Sequence, residues 1–194
     1  MTGWILASAS PRRRETLDAL GIAHIVDPAA GDGPAQGDGP AERVLAHAVH
    51  KAREVAARHP GKVVLAADTM VFRGEDALGK PADREDAAAM LRALVAAGRH
   101  EVWTGAALVD PSGLLRARAD VAWVAFTAIP EAELSSYLDG DEWRDKAGAY
   151  AIQGWAGSHA SVEDGWWGTV VGLAPEAVEA LAHAAGLPLD RRRG

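Results

Sequence analysis

The sequence predicts an α/β fold, on three observations. Short apolar runs that read as buried strands alternate with segments whose apolar residues recur at helical spacing. The first strand, Trp4-Ile5-Leu6-Ala7, runs into Ser8-Ala9-Ser10-Pro11, where a cap residue followed by proline marks a helix start. Further on, two long strand patterns flank Asp110-Pro111-Ser112-Gly113, a tight-turn sequence that folds them into a hairpin.

The elements follow in order. The helix after Ser10 turns Leu17 and Leu20 inward, with Gly21 at its C-terminal cap, and a short strand covers Ala23 to Val26. Pro28 to Pro40 is Gly, Pro, Ala and Asp with one Gln, and reads as a mobile loop. Ala41 to His59 is helical, with Val44, Ala48, Ala52, Val55 and Ala56 as its apolar stripe and Gly61 after its end. Val63 to Phe72 is a buried strand, and Gly79-Lys80-Pro81 a rigid loop. Asp83 then caps an amphipathic helix with Ala87, Met90, Leu91, Leu94 and Val95 on one face. The hairpin strands span Glu101 to Val109 and Leu115 to Thr127, and Pro130 opens a helix to Leu138. Asp145 to Gly154 reads as a strand-like piece whose edge carries Gln153. A last helix runs from Pro175 to Ala185, and Arg191-Arg192-Arg193 reads as a solvated tail.

Composition bounds the function. A chain of 194 residues suits one domain of generous size or one domain with two lobes, and 48% hydrophobic with 24% charged residues is ordinary globular usage. The net charge of −7 argues against binding a nucleic-acid polymer or an acidic membrane. There is no cysteine, which excludes disulfides, thiolate metal sites and a thiol nucleophile. Met1 leads directly into the first strand and no run approaches a membrane span, so the cytoplasm is the expected compartment. The seven tryptophans, four of them between Trp143 and Trp167, serve either a core or an interface.

Several residues stand out against this background. Arg12, Arg13 and Arg14 fall in the first turn of a helix, where the dipole disfavours cations. A bound polyanion reverses that sign, because backbone N–H groups, dipole and guanidinium forks all point at it. Lys51 lies on the margin of its helix's stripe, about 20° from Val44 at 100° per residue, and is either a ligand or a snorkelling lysine. Asp68, followed by Thr69, interrupts an apolar strand; a carboxylate there must be paired, hydrogen-bonded or on a metal, or else cap the strand end. Arg12, Arg13, Lys51 and Lys80 with Asp68, Thr69 and Gln153 make four cations, one carboxylate, one hydroxyl and one amide. Cations neutralise polyphosphate, the carboxylate binds a metal or deprotonates water, and the amide suits the edge of a nucleobase. The chemistry indicated is cleavage of a nucleotide phosphoanhydride.

Leu6-Ala7-Ser8-Ala9-Ser10-Pro11-Arg12-Arg13, Lys51-Ala52, Ala67-Asp68-Thr69, Gly79-Lys80-Pro81, His100-x-Val102-x-Thr104-Gly105, Asp145 to Gly154 and Val170-Val171-Gly172-Leu173 occur in this order along the chain. Together they closely resemble the Maf family of nucleoside triphosphate pyrophosphatases. The resemblance implies a mixed, twisted sheet with flanking helices, in two lobes around a cleft, related to the inosine-triphosphate pyrophosphatases. It implies hydrolysis of a nucleoside triphosphate to monophosphate and pyrophosphate with a divalent metal, Mg²⁺ or Mn²⁺, and often a homodimer. Arg12, Thr69 and Gln153 resemble the branch acting on dTTP and UTP. By the same resemblance, Asp68 activates water or holds the metal, and Arg12, Arg13, Lys51 and Lys80 neutralise the triphosphate. Ser8 and Ser10 orient the triphosphate, and Thr69 with Gln153 sorts the base. Where the family commonly has Glu after the second strand, this chain offers Asp27 and Asp32 as metal contacts. The segment from Ser158 to Thr169 departs from the family pattern and is expected to pack differently. The alternatives are a low-turnover nucleotide-binding regulator of cell division and a pyrophosphatase for another base.

Overall fold

The computed structural model describes residues 3–34 and 37–189. The strands are β1 (Trp4–Leu6), β2 (His24–Val26), β3 (Val64–Arg73), β4 (Asp76–Leu78), β5 (Arg99–Val109), β6 (Leu115–Phe126) and β7 (Ala160–Asp164). The helices are α1 (Pro11–Ala19), α2 (Pro40–Arg58), α3 (Arg84–Ala97), α4 (Glu131–Leu138), α5 (Trp167–Val171) and α6 (Pro175–Ala184). The strands form a mixed sheet in the order β2-β1-β3-β5-β6-β7, with β4 paired to β3. β1 runs parallel to β2 and β3, whereas β4 and β7 pair antiparallel with β3 and β6. The α/β reading holds. Among the described residues no helix is long and apolar enough to cross a membrane.

The chain divides into two compact units. The first takes the residues up to Asp68, then Thr104–Asp120 and the chain from Gly172; the second takes Thr69–Trp103 and Val121–Val171. In the first unit β1 and the portions of β3 and β5 that belong to it are buried on both faces, which explains why they read as continuous apolar runs. Leu6, Leu65, Ala67 and Leu108 pack with Leu17 of α1 and with Val178 and Leu181 of α6. Their strand neighbours Ile5, Ala7, Val64, Ala66 and Ala107 pack with Ala48, Ala52 and Val55 of α2. The second unit has its own core, where Leu91 and Leu94 of α3 meet Val102, Val124, Leu134, Tyr137 and Trp143.

Local signals act as their chemistry dictates. The Asp83 carboxylate accepts the Asp86 N–H at 2.8 Å and caps α3. In the hairpin turn the Asp110 carboxylate accepts from the Ser112 and Leu114 N–H groups, the Ser112 hydroxyl and Arg116, and these donors hold its pKa down at about 2. Ser10 occupies the N-cap of α1 without a side-chain capping bond, and Pro11 supplies the helical first residue.

One expected element is overturned. Asp145 to Gly154 is not strand-like: it forms turns and a short 3-10 turn at Ala147–Ala149. Asp145, Gly148 and Ala149 take φ of 58°, 70° and 63°, left-handed conformations that end any strand. A Cβ on Gly148 would press on Val71 and Leu94, so space as well as φ favours glycine there. Gln153 therefore sits in an exposed turn, not on a strand edge. β4 and β7 are the strands that pattern reading misses. Of the four tryptophans in this region, Trp143 is in the core, Trp155 stacks on Tyr137, and Trp166 and Trp167 are exposed. The Arg191–Arg193 tail lies outside the described residues.

Candidate active site

Strand parity puts Asp68 on a particular face. Ala66 and Val64 face α2, so Asp68, two residues beyond Ala66, faces α2 as well. There α2 presents two side chains one turn apart, His47 and Lys51. Lys51 Nζ donates to Asp68 Oδ1 at 2.6 Å, and His47 Nδ1 lies 3.0 Å from Asp68 Oδ2. Each carboxylate oxygen thus has its own partner. Asp68 and His47 are buried, at 8% and 9% exposure, a depth at which unpaired groups are costly.

Gly105 makes this approach possible. Any Cβ at that position would collide with the backbone of Val44 and Leu45, so α2 lies against β5 one turn before His47. Gly105 is in this sense a spacer that sets the height of α2 over the sheet.

Lys51 Nζ also reaches Asp32 Oδ1 at 2.5 Å, so one ammonium bridges two carboxylates. The loop that carries Asp32 is tied along α2: Ala30 N–H donates to Glu54, and Arg58 donates to the Pro28 carbonyl. Asp27 is held elsewhere. Arg58 donates to both its oxygens at 3.1 Å and His59 lies 2.6 Å away, and these donors lower its pKa. The acid that reaches Lys51 is Asp32.

On the other side of the β1 turn, Ser8 Oγ accepts from Arg13 Nη1 at 2.9 Å and from the Ser10 N–H at 3.3 Å. Arg13 Nε donates to the Gly172 carbonyl at 2.9 Å, and the Thr16 hydroxyl reaches the carbonyls of Arg12 and Leu173. Burial lowers the pKa of Arg13, opposed by the charges of Asp68 and Asp32. Burial lowers that of Arg12 too, opposed by Glu15. Ser8, Ser10, Arg12, Arg13, Asp32, Lys51 and Asp68 all belong to the first unit.

A family model described as "Maf-like protein" matches residues 3–185. The chain belongs to that family. Curated Maf relatives include a protein of Anaeromyxobacter dehalogenans (strain 2CP-C), 46% identical over 194 residues and 95% of each chain. Another is a protein of Myxococcus xanthus (strain DK1622), 46% identical over 97% of this chain and 95% of its own. Both are named dTTP/UTP pyrophosphatase. Among solved structures, a HAM1 protein from Coxiella burnetii matches with a TM-score of 0.57 at 17% identity, over 96% of this chain and 99% of that one. The Ham1 protein of Staphylococcus aureus matches at 0.52 and 14%, over 95% and 99%. At such identities these likenesses speak for the fold alone.

The remaining residues singled out in the Maf motifs belong to the second unit. Lys80 is exposed and lies 3.7 Å from Asp145 Oδ1. Its loop is braced where the Gly148 N–H donates to the Gly79 carbonyl. Thr69 opens that unit, half-buried, directly after Asp68, and Gln153 is exposed. The motif histidine, His100, is 1% exposed, with Nε2 2.7 Å from the Tyr150 hydroxyl and its ring stacked on Phe126.

Sequence reading missed His47. It sits four residues before Lys51, and that i, i+4 spacing was the available signal. A histidine inside an apolar stripe also reads as an ordinary core residue, and the carboxylate that gives it meaning lies 21 residues away.

Proposed function

We propose that this Maf protein hydrolyses dTTP and UTP to the nucleoside monophosphate and pyrophosphate. The observation that carries the proposal is the array Asp32–Lys51–Asp68, a buried acid and a bridging cation, whose two acids also act electrostatically on Arg13 of α1. The names of the relatives, at 46% identity over nearly the full chain, support the substrate.

In this reading a water attacks the α-phosphorus in line, the bond from that phosphorus to the bridging oxygen breaks, and pyrophosphate leaves. Asp68 takes the proton of the attacking water. Its two oxygens already accept one bond each, and a carboxylate has about four lone-pair directions, so room for a water remains. Lys51, Arg12 and Arg13 offset the charge that builds on the phosphoryl oxygens. Ser8 and Ser10 orient the chain of phosphates, Lys80 adds a cation, and Thr69 with Gln153 selects the base.

A divalent cation, Mg²⁺ or Mn²⁺, fits the donor set. Asp32 and Asp68 converge on one positive group, and two carboxylates plus substrate phosphates are what a hard cation takes. Among the described residues no group of three or more His, Cys, Asp or Glu is arranged to hold a metal, so phosphate oxygens and water complete the shell in this reading. When bound, the cation neutralises charge on the phosphates. The reading includes a cytoplasmic location, where nucleotide pools lie, and a homodimer, which light scattering reads directly.

The test is pyrophosphate release over a panel of dTTP, UTP, dATP, dGTP and 7-methyl-GTP with Mg²⁺ or Mn²⁺. The expected result is a preference of at least about tenfold in kcat/KM for the pyrimidines, on the scale at which hydrogen-bonded sites discriminate. Equal rates on all five reject the branch, and tight binding without turnover favours a nucleotide-binding regulator.

A further inference from the structure

We infer that His47 is a positioning residue for Asp68, holding one carboxylate oxygen so that the other lone pairs of the acid face substrate. The inference rests on the hydrolase reading above and adds a residue to it.

Three observations carry it. First, Asp68 as a carboxylate only accepts hydrogen bonds, so the 3.0 Å contact requires the proton on His47 Nδ1. Second, Nε2 of His47 is buried and has no hydrogen-bond partner among the described residues. Asp68 is therefore the ring's one hydrogen-bond partner among the described residues, and the tautomer with the proton on Nδ1 spares it a buried, unpartnered N–H donor. Third, the two donors on Asp68 differ in what else they do. Lys51 is shared with Asp32, so any phosphate or cation that draws Asp32 away also disturbs Lys51. His47 holds only Asp68, and it stands on a helix whose height is set by the close approach at Gly105. It is the donor that stays in place when the charges rearrange.

The chemistry predicts an order among substitutions that packing alone does not. Leucine is close to histidine in volume but donates nothing. The amide of asparagine reaches the place of Nδ1, while that of glutamine extends toward the place of Nε2. If His47 merely fills space, His47→Leu is the best tolerated; if it donates to Asp68, His47→Asn is.

The experiment measures kcat and KM for UTP at saturating Mg²⁺ on the full chain and these three variants. His47→Leu and His47→Gln are expected to lower kcat by about 10–100-fold, the usual cost of losing a partner that orients a site carboxylate, with KM little changed. His47→Asn is expected to regain most of that loss. A Leu variant with wild-type kcat, or one faster than the Asn variant, overturns the inference. Long-range ¹H–¹⁵N spectra of histidine-labelled protein supply a second readout. The signal that disappears in His47→Asn should show Nδ1 protonated; an unprotonated Nδ1 overturns the contact whatever the turnover. A wild type inactive on every nucleotide removes the catalytic role by removing the parent reading, and the spectrum still distinguishes that failure from a failure of the contact.

Discussion

Each of the two units buries a histidine, and the two are used differently. His47, in the first, meets a carboxylate; His100, in the second, meets the Tyr150 hydroxyl within a cluster completed by Phe126. In both rings the other nitrogen is buried without a partner among the described residues. Burial alone holds His100 neutral, with its pKa lowered from 6.5 to about 4. No acid offsets that penalty, so this ring belongs to stability. His47 is paired with the acid to which the proposed mechanism assigns the chemistry, and in that proposal serves activity. The residue type carries no role by itself; the partner that the fold supplies decides it.

The largest effect expected is at the acid of that comparison. Asp68→Asn should cut turnover by roughly 10²–10⁴, the scale for loss of one acid–base group, with the fold and nucleotide binding retained but the melting temperature lowered, because an amide offers one acceptor oxygen to two donors, His47 and Lys51. Turnover within tenfold of wild type would move the chemistry away from this array.

His100 sharpens the other side. Its folded pKa lies below the unfolded value, so the unfolded chain takes up a proton that the folded chain resists. This contribution to stability is complete above pH 6.5, declines as pH falls toward 4, and changes no further below. The shift is worth on the order of 3 kcal/mol across that window. Urea denaturation at pH 7 and pH 4.5 should show a smaller loss in His100→Gln than in wild type, with kcat at pH 7 much less affected than by Asp68→Asn. Equal losses in both proteins would mean that His100 is not held neutral.

Gln153 tests whether the second unit serves stability only. Gln153→Glu replaces a group that donates and accepts with one that only accepts, and should erode the pyrimidine preference through a higher KM for dTTP and UTP, by about tenfold for one lost hydrogen bond. An unchanged profile makes Gln153 structural. The smallest effect concerns the neighbouring acids. Asp27→Ala should leave the Mg²⁺ dependence of the rate unchanged, because Arg58 and His59 occupy that carboxylate, whereas Asp32→Ala should shift it to higher Mg²⁺. If both or neither shift it, the division of roles between the two acids is wrong.

What could be read from the chain itself was whatever is local or periodic. The helix spacing of Val44, Ala48, Ala52 and Val55, the cap at Asp83 and the turn at Asp110 each depend on residues within a few positions of one another. Each appears in the structure at its expected place. Asp68 stood out for a related reason, since a carboxylate in an apolar strand announces that something must pair with it. Only the tertiary structure decided what does. His47 and Lys51 reach Asp68 because α2 lies close over the sheet at Gly105, and Asp32 reaches Lys51 because its loop is tied to Glu54 and Arg58. The same holds for the segment from Asp145 to Gly154, where apolar residues mimic a strand while Asp145, Gly148 and Ala149 are turned left-handed, and nothing in the side chain of an alanine signals that. Propensity and periodicity describe how a segment relates to its own neighbours. The partner of a buried polar group is set by which distant groups the packing brings within about 3 Å of it, and that is fixed only when the layers pack.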